Sequence, residues 1–322
     1  MKETVNIRKL GKWEFHEINL ADIDLYSEYI KATEYPANLW SANFAYLWAA
    51  SQSRLRSILW RFVDGMLVTF AHSYKNSLYL YCLPFGAADP EHLLDVITQS
   101  LQYCYDWNQQ LKTRTLIRMI NENQLDFLQR SPTFNQRYRL VILQGIERHF
   151  DLKKLISLAG QDYSNVRNRV NKFRRENPDV VFRKYQSGDF NAVIALDRHW
   201  KSAAGQKYTH IFDNVYYTAM IENYQALHEL IYVMECRGKL IGMVSGSRLP
   251  TGQAWGSLLK YQSGIPGLSE ALTVEFARKL AQRHPDIGFF NVGSDLGPGG
   301  LREYKLKFRP ALNLKRYQVY PV

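Results

Sequence analysis

The predicted strands and helices of this sequence occur twice in the same order. In the first half, Ser57–Val63 and Met66–Ala71 read as strands around the turn Asp64-Gly65. Leu78–Leu83 follows as a third strand and Pro90–Trp107 as a helix, with Leu93, Leu94, Ile97, Leu101 and Cys104 on one face. Thr115–Ile120 (strand), Glu122–Gln129 (short helix) and Tyr138–Leu143 (strand) complete the unit. The second half runs Leu230–Cys236 and Leu240–Ser247 around Arg237-Gly238, then strand Ala254–Lys260 and helix Leu268–Gln282. Strand Ile287–Val292, short helix Gly300–Lys307 and strand Leu312–Val319 end it. Gly65 corresponds to Gly238, Glu91 to Gly264 and Leu116 to Phe289, a constant offset of 173 residues. This order predicts an α/β (α+β) chain of two duplicated domains, 1–150 and 151–322, each a mixed sheet flanked by helices.

The chain has 322 residues, 46% hydrophobic and 22% charged, which excludes a disordered or low-complexity protein. No run reaches the roughly 18–20 apolar residues of a membrane span. Met1–Arg8 has no apolar segment behind its charges, so no signal peptide is expected. Cys82, Cys104 and Cys236 are odd in number and lack CxxC spacing, which points to a reducing cytoplasm. The net charge of +11 is uneven. Residues 1–150 hold 16 Lys+Arg against 15 Asp+Glu, and residues 151–322 hold 25 against 15. A basic second half predicts an acidic partner such as tRNA, a phosphorylated substrate or the surface of an anionic membrane.

The unit order is that of the GNAT acyltransferase fold. Three blocks carry a closer resemblance: Tyr46-Leu47-Trp48, then Arg167-Asn168-Arg169-Val170-Asn171-Lys172-Phe173, then Asn291 through Pro310. The last has the spacing Asp295…Gly300-Leu301-Arg302…Lys305…Pro310. These blocks resemble the C-terminal domain of phosphatidylglycerol lysyltransferases, which carries two GNAT-like domains in tandem. The resemblance implies acyl or aminoacyl transfer in the second domain; the first, with a balance of +1 and Pro84-Phe-Gly-Ala-Ala-Asp-Pro90 in place of a glycine turn before its long helix, reads as a degenerate copy. Unlike the full lysyltransferases, no membrane domain that would present a lipid is expected from these 322 residues.

Three constellations could carry chemistry. In the helix Tyr163–Glu176, Tyr163, Val166, Val170 and Phe173 form one stripe, while Arg167, Arg169, Lys172, Arg174 and Arg175 cover the rest. Arg167, Asn168, Arg169 and Lys172 are the predicted substrate contacts. Gln262-Ser-Gly264-Ile-Pro-Gly267 opens a helix, where free N–H groups and the dipole favour an anion. In GNAT enzymes this turn holds the pyrophosphate of coenzyme A. Gln262, Gly264 and Gly267 are therefore the predicted donor site, although the usual Gln/Arg-x-x-Gly-x-Gly/Ala pattern reads Gln-x-Gly-x-x-Gly here. The bend Gly297-Pro-Gly-Gly300 leads into a helix with Leu301, Tyr304 and Phe308 on its apolar side and Lys305 at the inner edge. Lys305 there should meet an acid, a phosphate or an oxyanion, with Arg302 beside it. Asp295 would pair with one of the two, or act as a base.

No HExxH, GxSxG, P-loop or EF-hand spacing occurs, and His199 and His210 lack a third ligand, so no metal is expected. Asp197 and Trp200 read as part of a helix packing face. The expectation is an acyltransferase using an aminoacyl-tRNA or a thioester such as acyl-coenzyme A, with an amine or hydroxyl acceptor. A coenzyme A-dependent N-acetyltransferase and a non-catalytic basic module for RNA or anionic membrane are the alternatives.

Overall fold

Two-residue turns start the sheet architecture in both halves. Asp64 and Gly65 have φ of 47° and 77°, and Arg237 and Gly238 have 49° and 75°. Positive φ at both central residues makes the hairpin turn whose twist matches that of the strands it joins. The computed structural model describes residues 6–203, 216–297 and 299–322, and forms two units.

In the first unit β1 (Ile7–Leu10), β2 (Trp13–Glu17), α1 (Ile23–Ala32) and α2 (Phe44–Ser51) precede the hairpin β3 (Arg56–Val63) and β4 (Met66–Ser73). Then come β5 (Leu78–Leu80), α3 (Pro90–Trp107), β6 (Ile117–Asn121), α4 (Glu122–Leu128), α5 (Phe134–Arg137) and β7 (Tyr138–Ile142). Helix α3 starts where Asp89 accepts the His92 N–H and Pro90 occupies the first turn. Its predicted stripe of Leu93, Leu94, Ile97, Leu101 and Cys104 is buried.

The second unit opens with β8 (Glu147–Asp151), α6 (Leu152–Ser157), α7 (Ser164–Glu176), β9 (Val180–Lys184), α8 (Phe190–Ala203) and α9 (Tyr217–Glu222). The hairpin β10 (Leu230–Cys236) and β11 (Lys239–Arg248) follows, then β12 (Ala254–Tyr261), α10 (Leu268–Arg283), β13 (Phe289–Ser294), α11 (Gly300–Leu306) and β14 (Leu312–Leu314). The order across this sheet is β14-β8-β13-β12-β11-β10-β9. One face takes α10: a Cβ on Gly242 would lie 2.5 Å from Leu272, and one on Gly246 would lie 3.0 Å from Phe276. On Met243, between them, the Sδ takes the Tyr217 hydroxyl at 2.6 Å.

The last strand, β15 (Arg316–Pro321), lies in the first sheet between β6 and β7, giving β1-β2-β3-β4-β5-β6-β15-β7. The unit boundaries therefore differ from a division at 150. The first unit is Met1–Glu147 with Leu314–Val322, and the second is Arg148–Asn313. The predicted strand Leu312–Val319 is accordingly two strands in two sheets. Tyr317 and Val319 bury one face of β15, and both of its edges are hydrogen-bonded, which removes two open edges at once.

Each sheet contains, among the described residues, a parallel pair of very short register. Leu80 pairs with Ile117 between β5 and β6. Ala254 pairs with Phe290 and Trp255 with Asn291 between β12 and β13. Among the described residues no helix is long and apolar enough to cross a membrane.

Candidate active site in the second unit

The interior of the second unit is unusually polar around β12 and β13. Asp197, Glu229, Ser245, Ser247, Ser257, Lys260, Glu270, Asn291, Asp295 and Lys305 are all buried. Charged residues almost never reach full burial without partners, so each must be accounted for.

Lys305 lies on α11 and is 6% exposed. Its ammonium donates to the carbonyls of Val292, Gly293 and Ser294 at 2.5, 3.1 and 2.7 Å. The ammonium thus binds the carbonyls at the end of β13. The helix turn brings the ammonium to carbonyls that run past the β12 register. Asp295 pairs with Arg148 of β8, a partner the sequence reading did not name. Arg148 Nε and Nη2 reach its Oδ2 at 3.0 and 2.6 Å, with both side chains buried. The other oxygen accepts the Gly297 N–H at 3.1 Å and so fixes the start of the glycine bend. Arg302 is exposed, with no hydrogen bond or ion pair among the described residues. The α11 stripe behaves as predicted at Phe308, which is fully buried, and at Tyr304, whose hydroxyl meets Thr273 at 2.6 Å. Pro298, His210 and Met1–Val5 lie outside the described residues.

Helix α7 buries Val166, Val170 and Phe173 and points its cations outward. Most of those charges have partners within the chain. Arg167 donates to the Leu158 and Gly160 carbonyls at 2.5 and 3.1 Å. Arg169 Nε meets Glu270 at 2.7 Å, Lys172 meets Glu176 at 3.7 Å, and Arg174 pairs with Glu275. Asn168 and Arg175 are exposed.

The turn before α10 divides into an open part and a closed part. Gln262 and Gly264 are exposed, and a Cβ on Gly264 would meet nothing within 4 Å. Gly267 is buried, and a Cβ there would overlap the Arg169 carbonyl oxygen and lie 3.0 Å from Phe173 Cβ. Helix α7 therefore covers the residue expected to cradle a pyrophosphate. The positive end of α10 already has an anion. Glu270, 1% exposed, accepts Ser269 Oγ at 2.9 Å and faces Arg169 at 2.7 Å and Lys307 at 3.3 Å. Burial pushes its carboxyl up. Its own N–H, Ser269, Arg169 and Lys307 together outweigh that and hold it below the usual carboxylate range.

Two groups on the opposite face of the sheet escaped the sequence reading. Glu229 precedes β10 and is 4% exposed. Its oxygens accept Ser247 Oγ at 3.1 Å and Ser257 Oγ at 2.9 Å. Ser257 contacts Ser245 at 2.6 Å, and Trp255 Nε1 donates to Ser247 at 2.7 Å. Burial carries the Glu229 carboxyl up to about 8 despite those hydrogen bonds, so it is protonated near neutral pH. The β11–β12 register shifts at Ser245/Gly246, which makes a bulge where these hydroxyls gather. Lys260 on β12 lies under the Trp200 ring, 3.7 Å from its centre, and 3.3 Å from Asp197. Asp197 also pairs with Lys201. Asp197 and Trp200 are therefore more than a packing face. Neither Glu229 nor Lys260 sits in a spaced motif, and a lone acid before an apolar strand carries no periodic signal. The described residues contain no group of three or more His, Cys, Asp or Glu that could hold a metal.

The model of one family, phosphatidylglycerol lysyltransferase, C-terminal, matches residues 38–320. No curated protein matches the sequence. A conserved protein of unknown function from Bacteroides thetaiotaomicron superposes with a TM-score of 0.82 at 19% identity, covering 96% of this chain and 99% of that one. L-PGS from Bacillus licheniformis gives 0.67 at 18% identity, covering 97% and 94%. A tandem GNAT protein from the clavulanic acid biosynthesis pathway gives 0.51 at 8% identity, covering 95% and 98%. The fold is thus that of tandem GNAT-like proteins, as the repeated element order predicted.

Proposed function

The chain belongs to the C-terminal family of phosphatidylglycerol lysyltransferases, a family of acyl and aminoacyl transferases, and on that footing we propose that it moves an aminoacyl group from an aminoacyl-tRNA to an amine or hydroxyl acceptor. The observation that carries the choice of donor is Glu270. A coenzyme A pyrophosphate needs the free N–H groups and positive dipole at the start of a helix. Here the Glu270 carboxylate fills that position, with Arg169 and Lys307 as its counter-ions. A second anion would meet like charge there, and α7 lies against Gly267. An aminoacyl ester requires no pyrophosphate seat.

In this reading the acceptor attacks the ester carbonyl, the bond to the ribose oxygen breaks, and the acceptor's proton ends on the released ribose hydroxyl. Holding the two reactants together supplies about 7–11 kcal/mol of the barrier reduction. Each donor aimed at the oxyanion adds roughly 3–4 kcal/mol. Lys305 acts as a positioning residue that sets the end of β13, and Asp295 with Arg148 sets the glycine bend behind it. Exposed Arg302 meets negative charge on donor or acceptor. Gln262 and Gly264 line the approach of the donor, and Asn168 with the rim of α7 borders it. Glu229 supplies or takes a proton through the Ser257 and Ser245 hydroxyls. The proposed location is the cytoplasm, where charged tRNA is found. Commitment of most α7 cations to internal partners speaks against a purely electrostatic binding module.

The test supplies labelled aminoacyl-tRNAs and, separately, labelled acetyl-coenzyme A, each with small amines, small alcohols or phosphatidylglycerol vesicles. Label should leave aminoacyl-tRNA and appear on one acceptor class. Arg302→Ala should lower that rate at least about threefold without changing stability. Turnover of acetyl-coenzyme A alone would overturn the reading.

A further inference from the structure

The first unit carries a cationic cluster that the transfer chemistry does not use. Arg56, at the start of β3, and Arg118, on β6, both donate to the Tyr81 hydroxyl, at 3.3 and 2.7 Å. Their guanidinium carbons lie 5.9 and 4.7 Å from the centre of its ring. Tyr81 is 1% exposed, and both arginines are half-buried. Neither arginine has a carboxylate partner among the described residues. Elsewhere the chain places acids against such groups: Arg8 meets Glu17, Arg148 meets Asp295, and Arg183 lies between Asp189 and Glu235.

Two like charges gathered on the neutral phenols of Tyr81 and Tyr46 are unfavourable in a partly desolvated place. Burial pushes the Tyr81 hydroxyl further up, so it stays protonated and supplies no counter-charge. Arg118 also hydrogen-bonds Tyr46, a second neutral phenol, so neither fork meets a negative charge within the described residues. The location also matters. β5 and β6 are in register only at Leu80 and Ile117; Tyr81 is the residue that follows β5, and Arg118 the next residue on β6. The cluster therefore lies where a parallel pair parts, as β12 and β13 do in the second unit.

We propose that Arg56 and Arg118, with the Tyr81 hydroxyl between them, form a binding site in the first unit for the phosphate of a small phosphomonoester. Two guanidinium groups match a phosphate dianion in charge and in forked geometry. A phosphodiester carries a single charge, and a nucleic-acid backbone is gripped by cations spaced along many phosphates. The site lies outside the proposed transfer machinery, so it stands or falls independently of the choice of donor.

The test measures the melting temperature of the whole chain with inorganic phosphate or glycerol 1-phosphate, against chloride at equal ionic strength. Phosphate at about ten times its Kd should raise the melting temperature by roughly 3–5 °C. Arg118→Gln and Arg56→Gln should each weaken phosphate binding at least about tenfold, and Arg118→Lys, which keeps the charge but loses the fork, severalfold. Arg61→Gln, whose guanidinium lies 4.1 Å from the Trp13 ring centre instead, should change nothing. Three results would each overturn the assignment: no phosphate-specific rise in wild type, equal affinity in Arg118→Gln, or binding only to RNA or to phosphatidylglycerol vesicles. The wild-type result decides the matter even if a glutamine variant fails to fold.

Discussion

Gly264 and Gly267 allow a controlled experiment, because they share a backbone conformation and differ in surroundings. Their φ values are 84° and 82°. Alanine at either must adopt the left-handed region, at about 1–2 kcal/mol. At Gly264 nothing else is added, since no atom lies within 4 Å of the new Cβ. At Gly267 the methyl would overlap the Arg169 carbonyl and press on Phe173, so α7 must move off the start of α10. Overpacking of that kind adds about 1–3 kcal/mol. Gly264→Ala should therefore cost about 1–2 kcal/mol and Gly267→Ala about 2–5 kcal/mol. Subtracting one from the other cancels the backbone contribution. Urea unfolding followed by circular dichroism gives both values, and the excess at Gly267 should lower the midpoint by the order of 1 M. Equal losses would refute the conclusion that α7 seals this turn, and would reopen it as an anion seat. A transfer assay on the same pair should show Gly264→Ala affecting donor use more than its stability cost explains.

Three further outcomes follow from the buried charges. Glu229 has its carboxyl raised from 4.5 to about 8 on folding, so the folded state binds the proton more tightly. Its stability contribution is complete below the unfolded value and is lost as pH rises through about 8, roughly 5 kcal/mol in all. Glu229→Gln should flatten that decline in a pH series of unfolding curves; an unchanged slope counts against a buried neutral acid. Lys305→Met should destabilise by roughly 2–4 kcal/mol, because three carbonyls lose their donor; a loss under about 1 kcal/mol by the same method would mean the clamp is not made. Glu270, held below its ordinary range, contributes stability that is present above the unfolded carboxylate value and lost as pH falls. Glu270→Gln should therefore reduce stability more at pH 7 than in acid, and a thermal-shift series that shows the reverse contradicts the assignment.

Legibility differed between fold and site. Helix α3 and strand β10 were predicted to the residue, and β4, β11 and β12 to within two, because burial on one face imposes a period that sequence records. The site residues were named without their partners. Asp295 was legible as an ion-pair member, but Arg148 lies 147 positions earlier and no spacing rule links them. Glu270 received no role from the sequence, and only the crossing of α7 brings Arg169 to it. Arg56 on β3, Arg118 on β6 and Tyr81 just after β5 are scattered in sequence.

By itself the sequence determined the repeated element order, the hairpin turns and the apolar faces of α3, α7, α10 and α11. These depend on local dihedral preferences and on which residues avoid water. Tertiary structure alone decided that the final strand completes the first sheet, that Lys305 caps carbonyls, and that a carboxylate occupies the start of α10. Each of those depends on which distant group satisfies a buried charge or an open edge. That choice is made by the packing of the whole chain, because an unpaired charge or edge is costly wherever it lies and local pattern does not specify its partner.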